Sequence, residues 1–315
     1  MLSGSGVYDL ENRSRILLTG SDRVRWLNGM VTNNIRDLST GHGVYAFLLN
    51  PQGHPQADLY AYNRGESILV DTDRALLEKV LGIFDHYIIM DDVEVANVSD
   101  KVGVIGIAGP QARATLSKAG IDFPELQLLQ FADITWHGRA LLVTRQDNEA
   151  VETYELQVEQ SDRLELLHAL ANSGAAGVST QTLELLRIAA GIPRYGQDIR
   201  ERDLPQETEQ TRALHFSKGC YVGQEIVERI RSRGSVHRRF SGFYVDGALP
   251  EPGAKIQLDG KDIGEITSAA TLPTPKGERH VALGYLRREG ATPGKELIAG
   301  NARLILASLP FSDAF

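Results

Sequence analysis

Short apolar runs bounded by Gly, Pro, Asn and Asp predict strands over residues 14–18, 44–49, 57–62 and 67–71, with a Pro/Gly loop at 50–56. Between them, residues 22–31 read as a helix, because Trp26, Leu27, Met30 and Val31 cluster on one side. Residues 74–87 place Leu76, Leu77, Val80, Leu81 and Phe84 at helical spacing, a clear amphipathic helix. Residues 93–97 and 102–108 are rich in β-branched side chains and read as strands. Gly109-Pro110 opens a short helix to about residue 119, since proline is tolerated at a helix start. Further strands are expected near Ile134, at 140–144 and at 153–158, followed by helices over 162–172 and 181–190. Strands and helices do not alternate one for one. That argues against a parallel wound sheet and for an α+β pattern of paired strands with helices on one face.

The pattern changes after Arg239. Residues 241–245, 254–258, 262–268, 281–286 and 303–307 read as short strands punctuated by Gly and Pro, with no helical stretch between them. This is the signature of a small β-barrel or sandwich. The boundary falls around 232–239, giving an α+β region over 1–231 and a C-terminal β-barrel domain over 232–315.

Composition narrows the function classes. Among 315 residues, 33 Lys and Arg face 41 Asp and Glu, a net charge of −8, which argues against a protein built to coat nucleic acid or an acidic membrane. The one cysteine excludes an internal disulfide, a CxxC pair and an all-cysteine metal site, and fits a reducing, cytoplasmic setting. The start, MLSGSGVYDL, lacks the basic and apolar parts of a secretory signal, and no apolar run approaches the ~18 residues of a membrane span. There is no GxGxxG, GxxxxGK[ST] or HExxH, so no nucleotide cradle or metal site is expected.

One segment carries a chemical signal: Lys218-Gly219-Cys220-Tyr221-Val222-Gly223-Gln224-Glu225. Its glycines permit a sharp turn or a close approach to a ligand. Ile226, Val227 and Ile230 begin a helical apolar face just beyond it. A following helix N-terminus and the nearby Lys218 would both favour the Cys220 thiolate. The competing reading is a lone cysteine packed as a small hydrophobe.

The same segment resembles the signature of YgfZ-type folate-binding proteins of iron–sulfur cluster maintenance, relatives of the glycine cleavage T-protein, an aminomethyltransferase. Residues 186–199, LRIAAGIPRYGQDI, resemble the "LR…G…P.YG.DI" stretch shared by both branches. Residues 26–33, WLNGMVTN, resemble the family's start, and Asn50-Pro51-Gln52-Gly53 through Asp58-Leu59 resemble its "…G…aD…" loop and strand. The resemblance implies two interleaved ferredoxin-like units and a small β-barrel, set as a three-part ring around a central channel that takes tetrahydrofolate or a folate derivative. By similarity, Glu155 in Thr153-Tyr154-Glu155-Leu156 is the carboxylate that receives the pterin amine and ring N–H as a pair. On pattern alone Glu155 reads as solvent-facing, with Tyr154, Leu156 and Val158 turned inward.

The resemblance also places Arg187, Tyr195, Gly219, Tyr221 and Gln224 among folate-binding positions, and Cys220, Lys218 and Asp58 among reacting ones. For Arg187, pairing with a carboxylate, contact with the ligand and a snorkelling helix arginine all remain open. Asp58 either meets a folate nitrogen or caps a turn. Ala57 stands where the T-protein has the first aspartate of a pair, and this counts against aminomethyl transfer. Arg229, Arg231, Arg233, His237, Arg238 and Arg239 form a basic cluster, either a solvated hinge or a site for a folate glutamate tail, a phosphate or RNA. Aromatic residues are too sparse there for a single-strand platform. The leading expectation is a folate-binding protein serving iron–sulfur client or assembly proteins. An aminomethyltransferase and a non-catalytic partner- or RNA-docking module are the alternatives.

Overall fold

A computed structural model of the chain describes residues 3–234, 236–291 and 296–312. The chain divides into two compact units, one of Met1–Leu49, Ala57–Ser179 and Arg212–Val222, the other of Asn50–Gln56, Thr180–Thr211 and Gly223–Phe315.

In chain order the first unit is built from β1 (Gly6–Asp9), β2 (Arg13–Thr19), α1 (Arg23–Met30), β3 (His42–Leu49), β4 (Pro55–Asn63), β5 (Ile68–Asp73), α2 (Leu77–Tyr87) and β6 (Glu94–Asn97). It continues with β7 (Val102–Ala108), α3 (Ala112–Lys118), β8 (Phe131–Trp136), β9 (Arg139–Arg145), β10 (Thr153–Glu159), α4 (Arg163–Asn172) and β11 (Ala176–Gly177). These make two sheets, ordered β3-β4-β5-β2-β6 and β11-β1-β7-β10-β9-β8. Strand β1 belongs to the second sheet although β2 to β6 form the first, so the two α+β halves are interleaved in sequence.

Alternation decides what each sheet face carries. In the first sheet, Ile16, Leu18, Ala46, Leu48, Ala57, Leu59, Ala61, Ile68 and Val70 meet Trp26 and Leu27 of α1 and Val80 and Phe84 of α2 in one apolar core. In the second, Ile105, Ile107, Val143, Tyr154, Leu156 and Val158 are covered by Leu116 of α3 and by Leu166 and Leu170 of α4. The remaining faces of the two sheets meet each other through Tyr62 and Leu69 on one side and Phe131 and Leu142 on the other. A sheet face that expects water is thereby covered, and the polar residues on it become an internal layer.

The second unit holds α5 (Thr180–Ala189), α6 (Gln224–Arg233) and six strands. These are β12 (Arg238–Asp246), β13 (Lys255–Leu258), β14 (Lys261–Thr274), β15 (Gly277–Arg287), β16 (Leu297–Ala299) and β17 (Ala302–Ala307). They close into a barrel ordered β12-β15-β14-β13-β16-β17 around Phe243, Val245, Ile256, Ile266, Leu286 and Leu304. Outside it, Ile188 and Ala189 of α5 pack with Phe240, Leu283 and Tyr285.

The α+β fold with a C-terminal barrel matches the expectation. The differences lie in short or bent elements. Strands β1, β11 and β16 have four, two and three residues, too few for a pattern to show. The first turn expected at residue 74 is a tighter 3-10 turn, Arg74–Leu76, because the Asp73 side chain accepts a hydrogen bond from the Ala75 N–H. Strand β14 runs on past residue 268 because a register shift between Ile266 and Ser268 lets it bend with the barrel. Among the described residues, no helix is long and apolar enough to cross a membrane. Nor does any group of three or more His, Cys, Asp or Glu there have the geometry of a metal site.

Candidate functional site

The internal layer of the first unit is charged, and its charges come from alternate positions of β2, β4, β5 and β10. Arg13 and Arg15 project from β2 on the face opposite Ile16 and Leu18. Asp71 lies between them, 2.6 Å from Arg13 Nη2 and 2.7 Å from Arg15 Nη1. The other end of the Arg15 guanidinium donates to Glu155 Oε2 at 2.6 Å. Arg15 and Asp71 are 3% and 1% exposed, so the layer is nearly sealed from water at this point. Glu155, on β10, is therefore not solvent-facing as its strand pattern alone suggests. The first sheet covers it.

The neighbours of Glu155 are fixed by register. Gly106 of β7 lies opposite Glu155 and also opposite Tyr8 of β1. The Tyr8 ring lies over Gly106, where an added Cβ would overlap it, so only glycine fits. Burial pushes the Glu155 carboxyl up to about 6, and Asp71 adds to the rise against the pull of Arg15 and Arg13. Burial also keeps the Tyr8 hydroxyl protonated.

Along the layer from Glu155, three tyrosines stand in a row. Tyr45 lies 5.0 Å from Tyr60, and Tyr60 is stacked on Tyr62 at 6.4 Å. The Tyr45 hydroxyl donates to Asp58 Oδ2 at 2.9 Å. Burial raises the Asp58 carboxyl too, with Arg13 pulling the other way. Arg212 covers the Tyr45 face at 5.0 Å and reaches Asp147 Oδ2 at 3.0 Å. The named groups are three guanidiniums, Arg13, Arg15 and Arg212, against four carboxyls, Asp58, Asp71, Asp147 and Glu155. Burial is the largest cause of the upward shift at Asp58, Asp147 and Glu155 alike, with nearby carboxylates adding to it and the guanidiniums opposing it. Among the described residues, atoms of the layer remain for something else. The Tyr62 hydroxyl is buried and has no partner among the described residues. Glu155 uses only Oε2 in its bond to Arg15.

Asp58 and Glu155 are thus brought into one layer. Ala57 faces the other way, into the apolar core with Leu59 and Ala61. A carboxylate at position 57 would lie in that core and not in the layer.

The Lys218 segment is arranged differently from expectation. Lys218 Nζ donates to the carbonyl oxygens of Asn28, Val31 and Asn33, each at 2.6 Å. These carbonyls sit at and just after the C-terminus of α1, where helix carbonyls lack internal partners. An ammonium has three N–H groups, and all three are used here. Burial pushes Lys218 down to about 7, while three carbonyl acceptors favour the charged form. Lys218 therefore pins residues 212–222 to α1, helped by the Val222 N–H to Gly29 oxygen bond at 3.0 Å. It does not act as a free positive charge for the thiol. Cys220 is exposed, which removes the packing reading. Tyr221 is buried, its ring 4.9 Å from Lys218 Nζ. A Cβ at Gly219 would meet nothing within 4 Å, so the protein itself does not require glycine there. Gly223, with φ +80°, does require it, and Gln224 is the first residue of α6.

Arg187 and Tyr195 lie in the second unit. The five N–H groups of Arg187 have five acceptors: two bonds to Glu184, and one each to Ile192 O, Asp198 Oδ2 and Ser268 Oγ. Asp198 is fully buried and also accepts from Thr267 and Ser268. Of the three readings of Arg187, carboxylate pairing is the one observed, with no donor left over. The Tyr195 hydroxyl donates to Pro55 O at 3.1 Å. In the basic cluster, Arg238 pairs with Asp203 and Glu207, Arg239 with Glu209 and Arg231 with Glu228. Ser235 and the Arg233 side chain lie outside the described residues.

Sequence reasoning missed Tyr8, Arg13, Arg15, Tyr45, Asp71, Tyr62, Asp147 and Arg212. Arginine on alternate positions of an otherwise apolar strand was the available signal.

The GCVT N-terminal domain family matches residues 1–218, and the C-terminal β-barrel domain of CAF17 matches residues 233–310. Relatives include an aminomethyltransferase of Halothermothrix orenii, 27% identical over 305 residues, covering 93% of this chain and 83% of that one. A putative chloroplastic transferase of Arabidopsis thaliana is 24% identical over 300 residues, covering 95% of this chain and 69% of that one. The crystal structure of the glycine cleavage system aminomethyltransferase T from Bartonella henselae has the same fold, with a TM-score of 0.89 at 21% identity over 99% of this chain and 88% of that one. With more than two thirds of its length matched, the chain belongs to the GCVT N-terminal domain family and carries a CAF17-type barrel domain behind it.

Proposed function

We propose that the internal layer of the first unit binds a reduced folate, and that the chain supports assembly or repair of iron–sulfur clusters in client proteins. The observation that carries the folate reading is the state of Glu155: a covered carboxyl, ionised above about 6, oriented by Arg15 through one oxygen and open at the other. With about four lone-pair sites on its two oxygens, such a group can accept an amine and a ring N–H at the open oxygen and at the second lone pair of Oε2. The residues present fit the cofactor at two polar points, the Tyr62 hydroxyl, which lacks a partner among the described residues, and the Glu155 oxygen that Arg15 does not use. Tetrahydrofolate, when bound, supplies a pair of nitrogens able to carry a one-carbon unit. Asp58, held by the Tyr45 hydroxyl and raised by burial, is placed to hold or release a proton at its Oδ2. Arg212 and Tyr45 restrict water at that end of the layer.

The cluster-maintenance part rests on the KGCYVGQE signature, the CAF17-type barrel and the exposure of Cys220 on a loop anchored by Lys218. The cluster or its iron is then the client's cargo, and Cys220 is the thiol offered to it.

A calorimetric titration with tetrahydrofolate tests the first part. Glu155→Gln, which turns one acceptor into a donor, should weaken binding by about 1.5–3 kcal/mol. Equal affinity would move the pterin elsewhere. Cys220→Ala should fail to restore iron–sulfur enzyme activity in a strain lacking its homologue, and full rescue would end the thiol role. The second reading, aminomethyl transfer, is favoured by the names of the relatives and by Asp58 facing the layer. Robust formation of methylene-tetrahydrofolate from an aminomethyl-lipoyl protein would establish it over the first.

A further inference from the structure

The second unit has a cleft of its own, about 920 Å³, beside the outer surface of the barrel and lined by residues of that unit alone. This is the size of a small-molecule site. Among its lining residues is Tyr285, 1% exposed, whose hydroxyl is buried and has no partner among the described residues. Such an orphaned hydroxyl costs stability unless something else completes it.

The charges around the cleft are of two kinds. Glu265 is taken by Arg200, Arg202 and Lys255, and Glu207 by Arg238. Arg287, Arg288 and His237 also line the cleft, and their side chains have no partner among the described residues. The Arg288 N–H to His237 oxygen bond, 3.2 Å, holds these two residues side by side. Arg287 is directly opposite Arg238 across the β12–β15 pair. Like charges so placed repel unless an anion joins them. Arg238 has two carboxylates as counter-ions, whereas Arg287 has none.

We propose that this cleft binds a small phosphate monoester, with the phosphate held by Arg287, Arg288 and His237 and the Tyr285 hydroxyl completing the site. Closely set guanidiniums match the oxygens of a phosphate, which arginine binds with two parallel N–H bonds. Asp262 and Glu289, at the same cleft, suit the hydroxyl or amino groups of the remainder. Their negative charge disfavours a polyanion such as a nucleic acid and favours a small metabolite.

The test uses the full chain with adenosine monophosphate and ribose 5-phosphate as probes, followed by phosphorus NMR and calorimetry. At least one probe should bind, and Arg287→Ala or Arg288→Ala should weaken it about tenfold or more. Tyr285→Phe should weaken binding while leaving the melting temperature of the free protein equal or higher, because it removes an unpaired buried hydroxyl. A purely structural tyrosine would melt earlier on that change. The proposal fails if neither probe binds at about 10 mM, or if the arginine variants bind as wild type does. It also fails if a single-stranded RNA binds far more tightly than either probe and loses affinity in the same variants. Tetrahydrofolate binding at the first unit is measured separately, so failure of either site leaves the other readable.

Discussion

Lys218→Met is the sharpest perturbation of the signature segment. Methionine keeps the length and volume of the lysine stem and removes only the ammonium. Three charge-assisted hydrogen bonds, at Asn28, Val31 and Asn33, are lost. At the lower value of ~1.5 kcal/mol each, net of the water bonds they replace, they supply about 4–5 kcal/mol. Burial of the ammonium, which pushes Lys218 down to about 7, is the reason for taking the lower value. About 4 kcal/mol is therefore what the variant should forfeit, within the ~3–5 kcal/mol range for breaking one side of a buried charged site. The assay is urea unfolding followed by tryptophan fluorescence. Trp26 and Trp136 are the two tryptophans of the chain and both lie in the first unit, so the signal reports that unit. A loss below about 1 kcal/mol would mean that water satisfies the carbonyls and that Lys218 is no clamp. Alkylation of Cys220 adds a second readout. A slowed reaction in a variant of unchanged stability would return Lys218 to the role of thiol activator.

Other outcomes follow from the same geometry. Glu155 has its carboxyl raised from 4.5 to about 6 by burial. The folded state therefore holds a proton that the unfolded state has lost across that window. Stability should fall by about 2 kcal/mol as pH rises through it, and urea midpoints of Glu155→Gln against wild type should show that step removed. Arg187→Ala strands the fully buried Asp198 and should cost about 3–5 kcal/mol. Arg187→Lys, assayed where it remains folded by circular dichroism, should bind tetrahydrofolate as wild type does, and a tenfold loss would make Arg187 a ligand contact. Gly106→Ala pushes the Tyr8 ring away beside Glu155 and should cost about 1–3 kcal/mol by overpacking, read as a lower melting temperature together with weaker tetrahydrofolate binding.

Elements with enough residues to show a period were legible: α2 by its apolar stripe, β7 by its run of Val and Ile, and the barrel by strands without helices between them. What could not be read was pairing at a distance. Residues 13–18 announce a strand, but nothing near them says that a second sheet covers Arg13 and Arg15. Glu155 illustrates the same limit, since alternation assigned its direction correctly and its surroundings wrongly. Lys218 was found by its motif, yet its partners lie 185 to 190 residues earlier in the chain, beyond any local rule. The five bonds of Arg187 were equally hidden, because Ser268 and Asp198 come from separate stretches that only the folded second unit joins.

The place of β1 has a consequence for how the protein is made. Strand β1 pairs with β7 and β11, both made after it, and the strand next to it in sequence joins the other sheet. β1 must therefore wait roughly a hundred residues for its first neighbour, and α1 waits longer still for the lysine that seals its end. Contacts this far apart are slow to form and leave a nascent chain open meanwhile. Fragments that stop before residue 218 should be protease-sensitive along their whole first sheet, and a synthesis pause placed after residue 222 would be more useful to this fold than one placed at either of its sheets.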